Sequence, residues 1–582
     1  MAGEPTRLYW GDTHVHTSYS ADAYFLQNRS AGPDTAYRWA KGLPVVHPST
    51  GARVQIHTPL DFLVVADHAE MLGVPLRLMQ GDPELTATAT GRKWVAMMRE
   101  GRGAEVFEQE FGAAINDNAP VRDFDSERVK RAAWGDIVEA AQRHYVPCAF
   151  TSFIGWEWTS TPNGNNLHRV VLMADGAEKA EQLIPFSSFD SDKPEDLWSW
   201  LAETSERVGT DFVAIPHNSN ISGGLMFDEV DSEGRPITAE YARTRMRWEP
   251  VVEVTQIKGD SETHPRLSPQ DQFADFERFS HLLKVGGGEA KPGEGDYVRA
   301  ALKRGLQLED RTGANPYKVG MIGSTDSHTG LASAEESNFW GKFAIDSTPE
   351  STFIPIAADL KGSDMSAAGL AAVWAEENTR TAIFAAFKRK EVYATTGPRI
   401  RLRFFGGWAF KSKIAKSSEM VQLGYLFGHP MGSDLTKGPD GKAPRFLMYA
   451  VKDPKGANLA RMQIVKGWVD ADGEAHEKVF DVALAGTRQY DDKGQAIPIA
   501  SEVDLSTGEN PSTLGAPSMT AFWEDPDFNP TMRAFYYLRV LQIPTARHTL
   551  YDAITLGMDP NETGQPPVIQ ERAYSSPIWY TP

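Results

Sequence analysis

Short apolar runs alternate with amphipathic segments along residues 1–400 of the chain. Each apolar run ends at polar or turn-forming residues and predicts a strand, and the longer segments between runs carry apolar residues at helical spacing. The predicted strands are Leu8–Trp10, Phe62–Ala66, Phe150–Trp158, Arg169–Met173, Phe212–Pro216, Val251–Thr255 and Val319–Gly323. The predicted helices are Lys93–Arg99, Glu127–His144, Asp196–Arg207, Pro269–Leu283, Tyr297–Leu308 and Asn378–Lys390. Strands that alternate with helices favour an α/β fold with a largely parallel sheet or barrel.

The pattern changes after Gly397 and Pro398. Apolar and polar positions then alternate in short stretches separated by turn sequences such as Asp453-Pro-Lys-Gly, which is typical of antiparallel strands. The clearest stretches are Arg401–Phe405, Arg445–Val451, Ala460–Val465 and Ala534–Leu541. A chain of 582 residues is also too long for a single core. We therefore expect two domains, residues 1–400 and a β-rich, sandwich-like domain of residues 401–582.

The chain is acidic, with 59 Lys and Arg against 78 Asp and Glu and a formal net charge of −19. An acidic surface repels polyanions, which disfavours a dedicated nucleic-acid binder. A small phosphorylated molecule is still an acceptable partner if metal ions supply positive charge locally. The single cysteine, Cys148, excludes an intramolecular disulfide framework and a cysteine-rich zinc module.

No stretch approaches the roughly 20 apolar residues that a membrane helix needs, so we expect no membrane partner. The start, Met1–Arg7, is polar and has no apolar signal core. The protein is therefore expected to be cytoplasmic as the chain stands, and periplasmic or secreted if a signal peptide has been removed. The oligomeric state stays open, a homo-oligomer included.

Metal-ligand side chains lie at or near the ends of the predicted strands. His14 and His16 come directly after the first strand, and side chains two apart on an extended backbone point to the same side. The same arrangement recurs at Asp67-His68, Glu157, His168, His217 and Asp326-Ser-His328. Any one of these histidines alone is more often structural, but the joint pattern favours a metal site. In a barrel the carboxyl ends of the strands meet at one face, where catalytic residues gather.

These motifs, in this chain order, resemble those of the PHP (polymerase and histidinol phosphatase) superfamily of metal-dependent phosphoesterases. More narrowly, Tyr9–Ser20, Glu253–Glu262, Asn315–His328 and Val392–Arg399 are similar to the DUF3604 family within that superfamily. The resemblance covers about residues 7–400 and extends more loosely into the C-terminal β region. It implies a distorted (β/α)7 barrel of the PHP type, with two or three divalent metal ions at the carboxyl ends of its strands.

The resemblance also implies a set of nine ligands. The first metal would be bound by His14, His16, Glu157 and Asp326. The second would share Glu157 and add His168 and His217. The third would take Asp22, His68 and His328, and it is the site at which PHP proteins vary. Imidazoles mixed with carboxylates suit Zn²⁺, Mn²⁺ or Fe²⁺.

The leading hypothesis is an enzyme that hydrolyses a small phosphate monoester, diester or phosphonate ester with a hydroxide that bridges two metals. Asp326 and Glu157 would be catalytic as metal ligands, while Lys258 and Arg169 would act at the reacting phosphate. Asn218, with Lys258 and Arg169, would bind the substrate. Asp67 and Glu70 are expected to orient ligand imidazoles.

Two alternatives remain at this stage. The same metal-bound hydroxide could hydrolyse a carbon centre, in an amide, a lactone or an ester. An alternative of another class is a non-catalytic carbohydrate-binding protein in which the metals are structural and the β-rich domain is the working part. A structural metal site is usually four-coordinate and closed, which speaks against this second alternative.

Overall fold

The structure is a computed structural model that describes residues 5–357, 359–435, 437–439, 441–492 and 494–582. Residues 1–4, part of the polar N-terminal segment, lie outside the described residues. The main strands, β1 to β17 in chain order, are Arg7–Val15, Phe62–Val65, Thr151–Trp158, Arg169–Met173, Phe212–Pro216, Val251–Gln256, Gly320–Gly323, Leu370–Ala375, Val392–Thr395, Arg401–Gly407, Arg445–Val451, Leu459–Val469, Ala475–Leu484, Ser518–Glu524, Ala534–Gln542, Arg572–Ser575 and Ile578–Tyr580. Further short strands are Val45–Val46, Arg53–Val54, Gly259–Asp260, Pro355–Ala357, Leu360–Lys361, His429–Pro430, Asp434–Leu435, Thr545–Ala546 and Val568–Ile569.

The α-helices, α1 to α16 in chain order, are Ala21–Phe25, Pro33–Ala40, Val74–Met79, Pro83–Thr86, Ala89–Arg99, Gly103–Val106, Gly112–Asn116, Glu127–His144, Ala177–Ala180, Pro194–Val208, Ala239–Trp248, Val298–Thr312, Pro349–Thr352, Arg380–Arg389, Met420–Phe427 and His548–Leu556. The predicted strands are all confirmed, and so are the predicted helices except one, with ends shifted by a few residues. Helix α8 begins after Ser126, whose hydroxyl accepts a hydrogen bond from the backbone N–H of Val129. No helix among the described residues combines the length and apolarity that crossing a bilayer requires.

The predicted helix at Pro269–Leu283 is wrong, because the structure has neither helix nor strand there. Two buried arginines of the C-terminal strands hold this segment. Arg539 donates to both carboxylate oxygens of Asp271, at 2.7 and 2.8 Å, and Arg572 donates to the backbone carbonyl of Phe273 at 2.9 Å. Tertiary contacts thus override the local helical pattern.

A 13-stranded sheet runs through the described part of the chain. Its strand order is Asp434–Leu435, β17, β15, β16, β9, β8, β1, β2, β3, β4, β5, and β12 branches from β15 and pairs in turn with β13. Strands β1, β2 and β3 are parallel, and so are β6 and β7. The expectation of a largely parallel sheet is nevertheless wrong, because β4 runs antiparallel to both β3 and β5. Residues 159–168 join β3 to β4 and are fewer than the dozen or so that a parallel crossover needs.

The predicted closed barrel is not confirmed. In the described residues no strand ladder joins β5 to β6, and β6 pairs instead with β7 and with Gly259–Asp260 in a separate three-stranded sheet. The chain after β7 does return to β1, through an isolated parallel bridge between Val15 and Ser327. The region is therefore a mixed α/β fold with a large central sheet, and its strands β1 and β7 meet at their carboxyl ends.

Residues 401–582 are rich in strands, as the sequence predicts. Strands β10, β11 and β14 form a second sheet with His429–Pro430. Phe446 of this sheet packs on Tyr536 of β15, with ring centroids 4.7 Å apart, so the two sheets face each other as in a sandwich. Strands β15, β16 and β17 also continue the sheet of residues 1–400. The division of the chain at residue 400 stays a prediction.

Candidate metal centre

The carboxyl end of β1 is hydrogen-bonded to the segment that follows β7. The backbone N–H of Asp326 donates to the carbonyl of His14 at 2.7 Å, and that of His16 donates to the carbonyl of Ser327 at 2.8 Å. These bonds bring Asp326 and His328 beside His14 and His16, from opposite ends of the first 400 residues.

Four side-chain atoms converge at this point, namely Nε2 of His14, Nε2 of His16, Oε2 of Glu157 and Oδ1 of Asp326. The two nitrogens lie 3.0 Å apart. His14 Nε2 lies 3.4 Å from each carboxylate oxygen, and His16 Nε2 lies 3.0 Å from Glu157 and 3.3 Å from Asp326. A tetrahedral site with bonds of about 2.0–2.1 Å has edges of roughly 3.3–3.4 Å. The five distances between these buried atoms are therefore in the range that ligands of one metal ion require, and His14, His16 and Asp326 form the tightest group.

The other oxygen of Glu157 faces a second group. Oε1 lies 2.7 Å from Nδ1 of His168 and 2.8 Å from Nε2 of His217. Glu157 is on β3, His168 directly precedes β4 and His217 directly follows β5, so three neighbouring strands supply the group. A carboxylate whose two oxygens face two histidine groups is placed to bridge two metal ions.

The third predicted group lies on the other side of His16. Oδ2 of Asp22, on α1, lies 2.7 Å from Nε2 of His328 and 3.3 Å from Nε2 of His68. The His16 ring is also near, with its centroid 3.9 Å from that of His328 and 4.4 Å from that of His68. Ligand atoms of His16, His68 and His328 lie within 4.8 Å of one another. The structure thus places His16 between the first and third groups.

Electrostatics keeps the carboxylates of the centre ionised and divides its imidazoles between neutral and protonated forms. Burial would raise the pKa of the Glu157 carboxyl, yet the imidazoles of His68 and His217 hold it well below its usual value. Burial also opposes ionisation of Asp326, and the ammonium groups of Lys258 and Lys342 hold its pKa well below normal. Burial lowers the pKa of His168 to about 3, which leaves this imidazole neutral at pH 7. Burial opposes protonation of His14 and His68 as well, but neighbouring carboxylates raise their pKa to about 10 and about 9. Divalent metals bind ionised carboxylates and neutral imidazoles, so a metal ion at the centre would displace protons from these two rings.

Asp67 and Glu70, expected to orient imidazoles, contact the centre indirectly. Asp67 accepts a hydrogen bond from the hydroxyl of Ser20 at 2.7 Å, and the same hydroxyl lies 2.8 Å from Nδ1 of His16. Glu70 accepts from the backbone N–H of Thr159 at 3.2 Å. Asp67 therefore positions His16 through Ser20, rather than holding its sequence neighbour His68.

Two residues of the centre, Glu253 and Lys342, are not among the residues predicted from the sequence. Oε2 of Glu253, on β6, lies 3.1 Å from Nδ1 of His14 and fixes the orientation of that ring. Glu253 interrupts the apolar run Val251–Val254. Because a buried charge needs a partner, this pattern indicates that Glu253 contacts another polar group in the fold. Nζ of Lys342 lies 2.5 Å from Oδ1 of Asp326. Lys342 is in an irregular segment, and nothing in its sequence context points to this contact.

Lys258 and Asn218, predicted as substrate ligands, both lie at the centre. Nζ of Lys258 contacts Oδ2 of Asp326. Gln256 donates to Oδ1 of Asn218 and to Oδ2 of Asp326, both at 2.8 Å. In the described part of the chain, Nδ2 of Asn218 is buried and has no hydrogen-bond partner. Asn218 therefore carries a spare donor next to the carboxylate.

Arg169 is not at the centre. Its Nε donates to Oε1 of Glu249 at 3.0 Å, and its guanidinium lies over the Trp158 ring, 5.7 Å from the centroid. Adjacent residues of a strand point to opposite faces, so Arg169 points away from the side that His168 faces. The prediction that Arg169 acts on the substrate is corrected on this ground.

A family model described as "Protein of unknown function (DUF3604)" matches residues 3–582. The chain belongs to the DUF3604 family. This confirms the narrower resemblance seen in the sequence and extends it over the C-terminal strands. No curated protein matches this DUF3604 chain.

Among solved structures, the DUF3604 chain is similar to a two-domain protein from Bacteroides vulgatus ATCC 8482. That protein is described as containing a predicted PHP-like metal-dependent phosphoesterase. The two share 8% sequence identity and a TM-score of 0.31 over 92% of each chain. At that TM-score the likeness carries no argument about the activity of this chain.

Proposed function

We propose that this DUF3604 chain is a hydrolase that uses two or three divalent transition metal ions, Mn²⁺, Zn²⁺ or Fe²⁺, to cleave a small phosphate monoester, diester or phosphonate ester. The observation that carries the proposal is the position of Glu157, whose two oxygens face separate histidine groups at 2.7–3.1 Å. A structural metal site needs no such shared carboxylate, whereas a hydrolytic centre with two neighbouring ions does.

The predicted ligand groups would hold the ions, with Glu157 common to the first two. The first group is His14, His16, Glu157 and Asp326, the second is Glu157, His168 and His217, and the third is Asp22, His68 and His328. When bound, the ions would supply Lewis-acid charge to the phosphoryl oxygens and lower the pKa of water. We also propose that β1 to β7 surround this centre as a distorted seven-stranded barrel.

Two lysines lie beside the ligands, and Lys258 is the more persistent positive charge, because burial lowers the pKa of Lys342 to about 7. Lys258 and Lys342 contact the two oxygens of Asp326 from different sides, and both side chains are buried. A phosphoryl group gains negative charge at its outer oxygens during transfer, and preorganised cations in a water-poor site stabilise that charge strongly. Nδ2 of Asn218 provides a neutral donor in the same region. These three side chains would bind and orient the phosphoryl group.

The approach to the centre is narrow, which favours a small substrate. His14, His16 and His217 have no exposed surface, whereas His68 and Asp22 are 6% and 7% exposed. The Phe343 ring packs against His328, with centroids 4.9 Å apart. A substrate would therefore enter past Asp22 and His68, along a partly apolar wall. A small ester fits such an entrance better than a polymer does.

The test is an activity panel on protein purified without chelator and assayed with added Mn²⁺, Zn²⁺ or Fe²⁺. The substrates are nitrophenyl esters of phosphate (mono- and diester), of a phosphonate and of acetate. We expect nitrophenolate release from at least one phosphorus ester, lost with EDTA and restored by metal. Release from the acetate ester alone would replace the proposal with a carboxyl-ester or amide hydrolase. No hydrolysis of any ester by metal-loaded protein would contradict it.

Lys342→Met should lower kcat/KM for the phosphorus ester by about a hundredfold, the range seen when one donor to the developing charge is removed. The metal content should stay unchanged, because Lys342 is not a ligand. Lys388→Met is the matched control, since Lys388 is likewise a hydrogen-bonded lysine, donating to two backbone carbonyls at 2.9 Å each, but far from the centre. Equal kinetics for the Lys342 variant and the wild type would remove Lys342 from the proposed phosphoryl site.

A further inference from the structure

A cavity of about 950 Å³ lies between the two halves of the chain, apart from the metal centre. Residues 56–60 and 332–337 line it from the N-terminal side. From the C-terminal side, it is lined by residues within 453–457, 502–512 and 542–551. None of the nine predicted metal ligands is among the described residues that line it. Its volume is in the range of small-molecule sites, about 300–1,000 Å³.

Gln542 and Glu571 form the floor of the cavity. The pairing of β15 with β16 places them directly opposite each other, and the backbone N–H of Gln542 donates to the carbonyl of Glu571 at 2.9 Å. Residues opposite each other in antiparallel strands point to the same face. Both side chains line the cavity, with only 1% and 2% of their surface exposed. Within the described residues, Oε1 of Gln542 is buried and accepts no hydrogen bond.

The lining is rich in acceptors and negative charge. Its carboxylates are Glu335, Glu336, Asp453, Glu502, Asp504, Glu509 and Glu571, against the bases His57, Arg399 and Lys455. The two strong bases are outnumbered by these carboxylates, and they donate to backbone carbonyls at the edge of the cavity, Arg399 to that of Thr58 at 2.7 Å and Lys455 to that of His57 at 2.9 Å. The excess of carboxylates in the lining therefore favours a cation as the ligand of this cavity.

Apolar side chains form the other part of the lining. Ile56, Leu60, Leu370 and Pro398 face the same cavity. Methylene groups would be buried against them at a gain of roughly 0.8 kcal/mol each. An elongated aliphatic ligand with charged ends suits a cavity that is apolar along one wall and anionic at its floor.

We propose that this cavity binds an aliphatic organic cation, with an ammonium group at Oε1 of Gln542 and the carboxyl groups of Glu336 and Glu571. Oε2 of Glu336 already accepts from the backbone N–H of His548, and Oε2 of Glu571 accepts from the hydroxyl of Thr396. Those bonds fix both carboxyl groups in place. Burial, reinforced by the neighbouring Glu336, raises the pKa of Glu571 well above its usual value. Glu336 and Glu571 lie close together, and the positive charge of a bound ammonium would favour the ionised form of both carboxyl groups.

The test is isothermal titration calorimetry of the full chain with putrescine, alongside 1,4-butanediol as a neutral ligand of similar length and Ca²⁺ as an inorganic cation. We expect saturable binding of putrescine only. Gln542→Met and Glu571→Gln should each weaken it by about tenfold or more, because each removes a buried acceptor for the ammonium. If Glu571→Gln lowers the melting temperature, the putrescine affinity of Gln542→Met is the test of the proposal, because that substitution changes no charge.

Phosphoester hydrolysis by Gln542→Met should match that of the wild type, because the cavity is separate from the metal centre. Conversely, Glu157→Gln should bind putrescine as the wild type does. The proposal is overturned by butanediol binding as tightly as putrescine, by Ca²⁺ binding in place of putrescine, by the absence of putrescine binding, or by putrescine binding that both cavity variants leave intact.

Discussion

Glu157→Gln is expected to abolish hydrolysis, with a fall in kcat/KM of at least about a thousandfold, or roughly 4 kcal/mol of transition-state stabilisation. The carboxamide keeps the size of the side chain but loses the charge and one of the two oxygens. Because Oε1 faces His168 and His217 and Oε2 faces His14 and His16, both groups lose their shared ligand at once. The variant should also contain at least one metal ion fewer per chain.

The matched control is Glu391→Gln, which makes the same change at a buried carboxylate outside the centre, where Arg403 lies 3.3 Å away. This control should keep its metal content and its activity per folded molecule. Full metal content and activity in Glu157→Gln would show that Glu157 does not join the two groups. Loss of activity in both variants would point to a general effect of buried carboxylates on folding.

Glu249→Gln is expected to destabilise the fold by about 3–5 kcal/mol, the usual cost of leaving buried charges without a partner. Glu249 has no exposed surface and lies 3.0 Å from both Arg169 and Arg245, which are themselves 1% and 3% exposed. Removing its charge leaves two buried guanidinium groups uncompensated. The effect should appear as a lower thermal midpoint, while activity per folded molecule is kept because Arg169 does not reach the substrate.

The stability that Glu249→Gln loses should depend on pH and should be smaller in acid. Burial opposes ionisation of Glu249, but Arg169 and Arg245 lower its pKa in the folded chain. A lowered pKa adds stability above the ordinary glutamate pKa of about 4.3, and that stability is lost as the pH falls through the folded value. The difference between wild type and Glu249→Gln should therefore be full at pH 7 and shrink in acid.

Glu524→Gln is the control for Glu249→Gln, because Glu524 also lies 3.0 Å from an arginine, Arg445, but is 42% exposed. Exposed pairs contribute about 0–1 kcal/mol, so little change is expected. A small effect of Glu249→Gln, or a large loss of activity without loss of stability, would restore Arg169 as a candidate for substrate binding.

The sequence predicts most strands and helices because their apolar spacing is local. Helix α8, for example, is predicted with both ends correct. Strand direction is less local, so the antiparallel placement of β4 was missed although the short connection before it contained the necessary information. The segment Pro269–Leu283 was misassigned because Arg539 and Arg572, far along the chain, decide its conformation.

The residues of the candidate site can likewise be predicted where their placement is local and not where it depends on distant parts of the chain. Residues at strand ends, such as His14 and His217, can be predicted because the fold gathers strand ends in one region. Lys342 could not be predicted, since only the folded chain brings its irregular segment to Asp326. Arg169 was misassigned because its nearness to His168 in sequence says nothing about which face of β4 it occupies.

The C-terminal strands contact the chain next to the candidate metal centre. Tyr537 and Arg539 of β15 contact Glu262 and Asp271, in the segment that follows Lys258. Arg299 of α12 joins the same buried network, with Nη2 2.7 Å from Asp271. The β-rich half thereby holds in place the segment that follows Lys258.

Elemental analysis of the wild-type protein, purified without chelator, tests the central claim most directly. If Glu157 joins two metal groups, the protein should contain at least two transition metal ions per chain, and Glu157→Gln should contain fewer. One ion or none per wild-type chain, after incubation with Mn²⁺, Zn²⁺ and Fe²⁺ and removal of the excess, would contradict a multinuclear centre.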